Sequence, residues 1–378
     1  MNPLVSVVIL NYNGRRNFGD NLLSNCLSSV LRSDYDDFEV IFVDNGSTDN
    51  SVEFIKQKFQ RDTRLKIVEN QKNYGFSQGN NLAMKHARGD YIVLLNNDVE
   101  VEPNWIRELV NAMEADQTIG LAQSKILLFD RIHIQTIGNL LDSALNTYLI
   151  GKNEVDKGQY DRVCEITYPC GAAVITRRTL IEKIGLFDPN YFFYHDDCDL
   201  GWRVRLAGFK VISVPSSIVY HKGGGTSDHT FKRGQGMFFA FTSQLGLFIK
   251  NLEFRNFLKF GSVMSASMAM DILDLFLHGD VRTPMKFAWW SMKNFRNNWK
   301  SRLIIKTKIR KVNDDEVLKT FLDSSIFVLR LRKNLDKLGS GKICRDFDKL
   351  VNQVTYNYYK NHLYTSQLRD RTLAPKTH

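Results

Sequence analysis

Four short runs of β-branched and apolar residues constrain what this chain can fold into. Val5–Leu10, Phe38–Asp44, Leu65–Glu69 and Tyr91–Leu95 each run into polar, turn-forming residues, and a segment of helical spacing comes after each. The first two, short and apolar, suit strands buried on both faces, as parallel strands are, and the other two read as further strands. Strands and helices alternating at this pace predict an α/β fold with a mainly parallel, doubly wound sheet. Such a sheet binds its ligands beyond the carboxyl ends of the strands. Asn11, Asp44 and Asn96-Asn97-Asp98 all stand at those ends, so they are expected to meet along one edge.

Further on, Pro103 opens a helix reaching about residue 115, a position where proline is tolerated. Ile119–Leu128 reads as a strand. Residues 130–163 are polar and irregular, and suggest a hairpin over the site. Pro169–Thr176 places small residues before a strand, as where a backbone must approach a ligand closely. Next comes Tyr191–Gly208, in which Asp196, Asp197 and Asp199 fall within four residues where an aromatic run meets an amphipathic segment. Three acids this close repel one another. A helix start tolerates them, because the macrodipole favours Asp in the first turn. Lys210–Val214 is a further strand, and His221-Lys-Gly-Gly-Gly-Thr-Ser227 lies beyond it.

The net charge of +10 is unevenly spread: residues 231–378 carry 27 Lys and Arg against 12 Asp and Glu, whereas residues 1–230 are acidic overall. Two regions with different work are expected, a catalytic domain over 1–230 and a basic, aromatic-rich helical region over 231–378. Between Arg282 and Lys311 there are ten Lys or Arg and no Asp or Glu, with Phe287, Trp289, Trp290, Phe295 and Trp299 interleaved. Ala288, Met292, Phe295, Trp299 and Leu303 share one helical face, and Lys286, Lys293 and Lys300 another. That is the pattern of an interfacial helix, with aromatics at headgroup depth and cations toward anionic lipid. Single-stranded nucleic acid is the rival partner, since basic and aromatic residues also build stacking grooves; ordinary packing is a third reading. Residues 257–278 are long enough to span a bilayer, but Lys259, Asp271 and Asp274 argue against it. The five cysteines form no Cys-x-x-Cys pair, and the N-terminus shows no basic n-region or cleavage site, so a cytoplasmic protein is expected, peripheral on the inner membrane face.

The strand-end residues point to chemistry by type. Asp44 can take hydrogen bonds from a nucleobase or ribose, or simply close a turn. Two amides and the Asp98 carboxylate can hold a hard divalent cation, or make a turn. The chain lacks a Gly-x-Gly-x-x-Gly after the first strand and a Gly-x-x-x-x-Gly-Lys-Ser/Thr loop, and its one Gly-x-Ser-x-Gly run, Gly75–Gly79, does not directly follow an apolar strand as a nucleophile elbow does. That counts against a dinucleotide oxidoreductase, a P-loop enzyme and an elbow-type hydrolase.

The ordered set Val5–Gly14, Val43–Asp49, Asn73–Asn81, Leu94–Val99, Cys170–Ala173, Asp196–Leu200 with Arg203, and His221–Ser227 resembles the inverting family-2 glycosyltransferases of the GT-A fold. It is most similar to the branch that includes bacterial rhamnosyltransferases and other polysaccharide-assembly enzymes. The resemblance covers residues 4 to about 228. It implies a nucleotide site at Asn11, Tyr12, Asp44, Asn45, Gly75, Asn80 and Asn97. It implies a divalent cation, Mg²⁺ or Mn²⁺, held by Asp98 with Asn96 and His221, where Asn96 replaces the first Asp of the family's motif and weakens the site. It also implies a catalytic base at Asp197 beside Asp196. The acidic neighbours are expected to raise the Asp197 pKa, while Arg203 and Arg205 oppose that effect or touch phosphate.

The reaction implied by the resemblance is transfer of one sugar, with rhamnose a candidate, from a UDP- or dTDP-sugar to a glycan or polyprenyl-linked acceptor, in a single inverting displacement. Processive relatives carry Gln-x-x-Arg-Trp and several membrane helices; neither is found here, so one addition per encounter is expected. A sugar nucleotidyltransferase is the rival enzyme, though Asn11–Arg15 makes a poor version of its Gly-rich basic loop. A non-catalytic carbohydrate- or lipid-binding protein on the same scaffold is the rival from outside enzymology.

Overall fold

The structure is a computed structural model describing residues 2–223, 233–322 and 344–364. The glycine-rich run at 224–227 and the last dozen residues, expected to fray, lie outside the described residues. The first four strands form where the apolar runs predict them: β1 (Val5–Asn11), β2 (Phe38–Asp44), β3 (Leu65–Glu69) and β4 (Tyr91–Asn96). Between them lie α1 (Gly14–Leu31), α2 (Ser51–Phe59) and α3 (Gly75–Ala83). All seven residues of β2 are buried, as the uninterrupted apolar run requires. Helix α1 starts earlier than the apolar spacing suggests and is broken at Gly19, whose φ of 82° is not helical.

The second half of the sheet departs from a simple winding. After β5 (Val99–Val101), α4 (Trp105–Ala115) and β6 (Ile119–Leu128) come two small strands, β7 (Ile134–Thr136) and β8 (Asn139–Leu141). Then come β9 (Thr147–Leu149), β10 (Cys164–Glu165), β11 (Ala173–Arg177), α5 (Arg178–Ile184), α6 (Asp196–Leu206) and β12 (Lys210–His221). The main sheet has the order β10-β12-β6-β11-β4-β1-β2-β3. Pairing is parallel across β4, β1, β2 and β3, but β11 lies antiparallel between β4 and β6. The sheet is therefore mixed. Strand β12 continues past the predicted Val214 to His221 through a register shift between Val214 and Ile218, where Pro215 interrupts donation to the ladder.

The irregular 130–163 region does contain a hairpin, β8–β9, turned around a fully buried carboxylate. Asp142 accepts from the backbone N–H groups of Ala144 and Asn146 and from the Tyr148 hydroxyl. Nothing in the apolar spacing marks such a turn.

The C-terminal part is helical: α7 (Arg233–Asn251), α8 (Phe254–Leu277), α9 (Arg282–Ile304), α10 (Asp314–Leu318) and α11 (Cys344–Asn361). Phe241 of α7, Leu275 of α8 and Phe287 of α9 form a core of their own. Helix α8 is long and apolar enough to cross a membrane by length and composition, which the charge count within it does not suggest. Beyond α11 the chain returns to the sheet edge. Glu165 N–H donates to His362 O, Tyr364 N–H donates to Val163 O, and Cys164 bridges Leu363 antiparallel.

Candidate functional site

The carboxyl edge of the parallel strands is knitted by asparagines. The Asn11 amide donates to Asp44 Oδ1 at 2.9 Å, and the Asn97 amide donates to Asn11 Oδ1 at 2.8 Å. Asp44 also accepts from the Ser47 N–H and hydroxyl. The Asn45 amide donates to Asn73 Oδ1 and to Gly75 O. Gly75 has a φ of 78°, and a Cβ there would lie 2.8 Å from the Phe192 carbonyl and ring. The loop 73–76 thus packs against the segment before α6 without room for a side chain, and Phe76 N–H donates to Phe192 O.

A cavity of about 520 Å³ opens at this edge. Nine residues singled out from the sequence line it: Tyr12, Asn45, Gly75, Asn96, Asn97, Asp98, Asp196, Asp197 and His221. Asn11, Asp44 and Asn80 do not. They are buried beneath it, and the Asn80 amide is engaged by Phe76 O. Asn11 and Asp44 shape the floor through each other and Ser47.

On one side of the cavity Asp98 and His221 are brought together by the β5–β12 pairing, in which His221 lies opposite Val99. His221 Nε2 is 3.1 Å from Asp98 Oδ1 and 3.2 Å from the Asn96 amide, while its Nδ1 sits 2.8 Å from Gln135 Oε1. With Nδ1–H donating to Gln135, Nε2 presents a lone pair toward a carboxylate oxygen. Two acceptors at that distance repel unless a proton or a cation lies between them. The donor set therefore suits a divalent cation that takes one carboxylate and one imidazole, and fills its other positions with water or phosphate oxygens. Among the described residues no group of three or more His, Cys, Asp or Glu could hold a metal without such help.

Across the cavity stands the first turn of α6. The chain enters it through two left-handed residues, Tyr194 (φ 68°) and His195 (φ 59°). Asp197 Oδ1 accepts from the Cys198 N–H at 2.8 Å, and Oδ2 from the Gly171 N–H at 3.2 Å. The small residues at 170–173 therefore serve backbone approach to this carboxylate. Desolvation raises Asp197 to about 6, against these two hydrogen bonds. The acidic neighbours were the expected cause; burial is the actual one. Burial, and then the Asp197 charge, push Asp196 well above the usual carboxylate range. Asp196 Oδ2 has no hydrogen-bond partner among the described residues. Asp199 behaves oppositely: burial acts to raise it, but Lys250 and Arg203 outweigh that and hold it down to about 2.

The expectation that Arg203 and Arg205 face phosphate is corrected. Arg203 pairs with Asp199 at 2.7 Å and caps the carbonyls of Ile184, Gly185 and Leu186. Arg205 grips the carbonyls of Ile166 and Thr167. Both are buried inside the scaffold.

Sequence reasoning missed the far wall of the cavity: Asn139, Thr147, Leu149 and Tyr168 from the hairpin region, and the side chains of Phe192, Phe193 and Tyr194. The aromatic run is visible in the sequence; its direction is not.

Known proteins share this outline. Residues 6–185 match the family model of glycosyl transferase family 2. Over 123 residues the chain is 33% identical to the glycosyltransferase GlyG of Streptococcus pneumoniae serotype 4, covering 32% of this chain and 39% of that protein. Over 218 residues it is 28% identical to the O-antigen biosynthesis protein RfbC of Myxococcus xanthus, covering 53% of this chain and 16% of that one. The chain thus spans well under half the length of these relatives. Among solved structures, GalNAc-T7 with UDP, GalNAc and Mn²⁺ superposes with a TM-score of 0.56 at 16% identity, over 81% of this chain and 59% of that one. The fold is the GT-A fold, with a helical C-terminal region. The family 2 match ends just short of α6, so it includes the Asp44 and Asp98 strand ends and stops before Asp197.

Proposed function

We propose that this chain is an inverting, metal-dependent glycosyltransferase. It moves one sugar from a UDP- or dTDP-sugar to a glycan or polyprenyl-linked acceptor during assembly of a cell-surface polysaccharide, with rhamnose as a candidate sugar from the sequence resemblance. The observation that carries the reading is one cavity with two unlike sides. A cation-suited pair, Asp98 and His221, lies on one side, and a carboxylate ionising near 6, Asp197, on the other. Similarity to a glycosyltransferase and to an O-antigen biosynthesis protein supports the same class.

A cation held by Asp98 and His221, with Asn96 alongside, would neutralise charge on the departing diphosphate. Tyr12 presents a phenol where the nucleotide would lie, and Asn45 and Asn97, whose amides are engaged by Asn73, Gly75 and Asn11, hold the backbone that lines it. Asp197, ionised at neutral pH, accepts the proton of an acceptor hydroxyl as that oxygen attacks the anomeric carbon. Its two backbone N–H donors fix the carboxylate plane. Asp196, pushed well above the usual carboxylate range, keeps the local charge low beside the base. One displacement needs one base, and inversion is its stereochemical result.

A cytoplasmic position against the inner face of the membrane fits the outward side of α8 and α9. Phe254, Leu258, Leu273, Phe276 and Leu277 are exposed on α8, and Met285, Trp289, Met292, Phe295, Trp299 and Leu303 on α9. Isolated exposed apolar side chains are ordinary; an array of this kind beside Lys286, Lys293 and Lys300 suits an anionic lipid surface.

The test is direct. The protein is incubated with UDP- and dTDP-sugars, Mg²⁺ or Mn²⁺, and a panel of glycan and lipid-linked acceptors, and nucleoside diphosphate release is measured. Acceptor-dependent release is expected. Pyrophosphate release would replace the reading by nucleotidyl transfer, and nucleotide binding without turnover would replace it by a binding protein.

A further inference from the structure

The C-terminal helix α7 reaches into the scaffold of the acidic loop. Lys250, one residue from its end, is 1% exposed, although lysine is among the residues least often buried. Its ammonium lies 2.6 Å from Asp188 and 3.0 Å from Asp199, and 4.3 Å from the centre of the Tyr191 ring. Asp199 is fully buried and is also bound by Arg203 and by the Asn251 amide. Two cations and two carboxylates thus close a neutral cluster away from the cavity. Neutrality is what makes such burial tolerable, since any one of the four alone would be an uncompensated charge.

The placement of the cluster matters more than its strength. Asp188 opens the loop that ends at Asp197, and Asp199 stands two residues beyond that base. Lys250 joins the two ends. Between them, Tyr194 and His195 hold left-handed backbone, a conformation that persists only where the surroundings over-determine it. Helix α7 supplies further restraints on the same loop: Ser243 Oγ donates to Phe193 O, and Phe239 stacks on Phe192 at 5.2 Å. Gln244 of the same helix donates to Ala144 O in the β8–β9 turn, on the other wall of the cavity.

We infer that Lys250 is a positioning residue for the transfer step: by clamping Asp188 to Asp199 it holds loop 188–197, and with it Asp197, in register with the cavity. This rests on the transferase reading, and it makes part of the C-terminal region a component of the active centre. Lys250 touches neither substrate nor cation; it acts through the loop.

Full-length Lys250→Met, Lys250→Arg and the charge-neutral double variant Lys250→Met/Asp188→Asn are compared with wild type. Three readouts are taken: UDP affinity with Mn²⁺ by calorimetry, kcat and donor KM, and amide hydrogen exchange across 186–199 relative to 38–44. Lys250→Met is expected to keep UDP affinity and donor KM within about twofold, to lose at least tenfold in kcat, and to exchange faster over 186–199 only. Lys250→Arg is expected to restore most of the kcat. If Lys250→Met does not fold, the double variant takes its place with the same expectations. Unchanged kcat in a folded variant overturns the inference. So does a loss that only tracks the folded fraction, or exchange that accelerates equally over 38–44. Should wild type turn over no donor, the transferase reading fails by itself, and hydrogen exchange still decides whether Lys250 holds the loop.

Discussion

At the scale of single residues, the central quantity is the protonation of Asp197. A base must be ionised to accept a proton, and this carboxyl titrates near 6. Activity is therefore expected to fall as pH drops through about 6, with one proton inhibiting, and to reach a plateau above it; a kcat/KM profile from pH 5 to 8 checks this. Asp197→Asn keeps the shape and removes the base, so it should retain UDP affinity and lose on the order of 10²–10⁴ in kcat. Asp199 contributes to stability instead. Its folded pKa of about 2 lies below the ordinary value of about 3.9, so its contribution is full above pH 4 and disappears as pH falls toward 2. The linkage amounts to roughly 2 kcal/mol, and Asp199→Asn should flatten the acid limb of a denaturation-against-pH series. Asp197 has the opposite sign. Its folded pKa is raised, so the stability it lends is full below about pH 4, is lost as pH rises from there to about 6, and does not change further above that. Removing the imidazole in His221→Ala should weaken Mn²⁺-dependent UDP binding about tenfold or more while leaving metal-free binding alone; titration calorimetry with and without metal distinguishes the two.

At the scale of elements, the structure gives α9 two adjoining exposed stripes, one apolar and one basic. Met285, Met292, Phe295, Trp299 and Leu303 lie beside Arg282, Lys286, Lys293 and Lys300. Each cation near an anionic bilayer contributes about 1 kcal/mol. Reversing Lys286, Lys293 and Lys300 to Glu should therefore lower co-sedimentation with phosphatidylserine vesicles by about a hundredfold in partition or more. Binding to neutral vesicles should be weak throughout, and preference for single-stranded nucleic acid would favour the rival surface. The periodicity of α9 was readable because exposure tracks helical spacing directly. Strands β1, β2 and β4 were readable for a similar reason: burial on both faces leaves an apolar run, whereas β3, at the sheet edge, is only partly buried and exposes Lys66 and Glu69. The hairpin at 139–149 was not readable, because its turn depends on Asp142, a single carboxylate satisfied by backbone, amide and hydroxyl donors at no fixed sequence spacing. In α8, Asp271 and Asp274 weigh against a membrane span when charges are counted along the chain. They are half-buried, while Leu273, Phe276 and Leu277 beside them are exposed, and a linear count cannot register that difference.

For the whole molecule, the position of Asp98 was legible because strand ends converge in any wound α/β sheet, and that of Asp197 through its acidic run and the family resemblance. The partnership of Asp199 with Lys250 was not, since 51 positions separate them and no local pattern links one to the other. The same holds for the return of residues 362–364 to the strand β10. That return has a consequence for how the protein is made. The β10 edge offers unpaired backbone groups, a template for association with another chain, until His362 and Tyr364 arrive. Nearly 200 residues lie between Glu165 and His362, and at about 5–20 residues per second a ribosome takes roughly 10–40 s to deliver them. The β10 edge is thus open from the time Glu165 is made until His362 follows it. In a cell, that interval is when this edge most needs a chaperone, and any version ending before residue 362 keeps it uncovered.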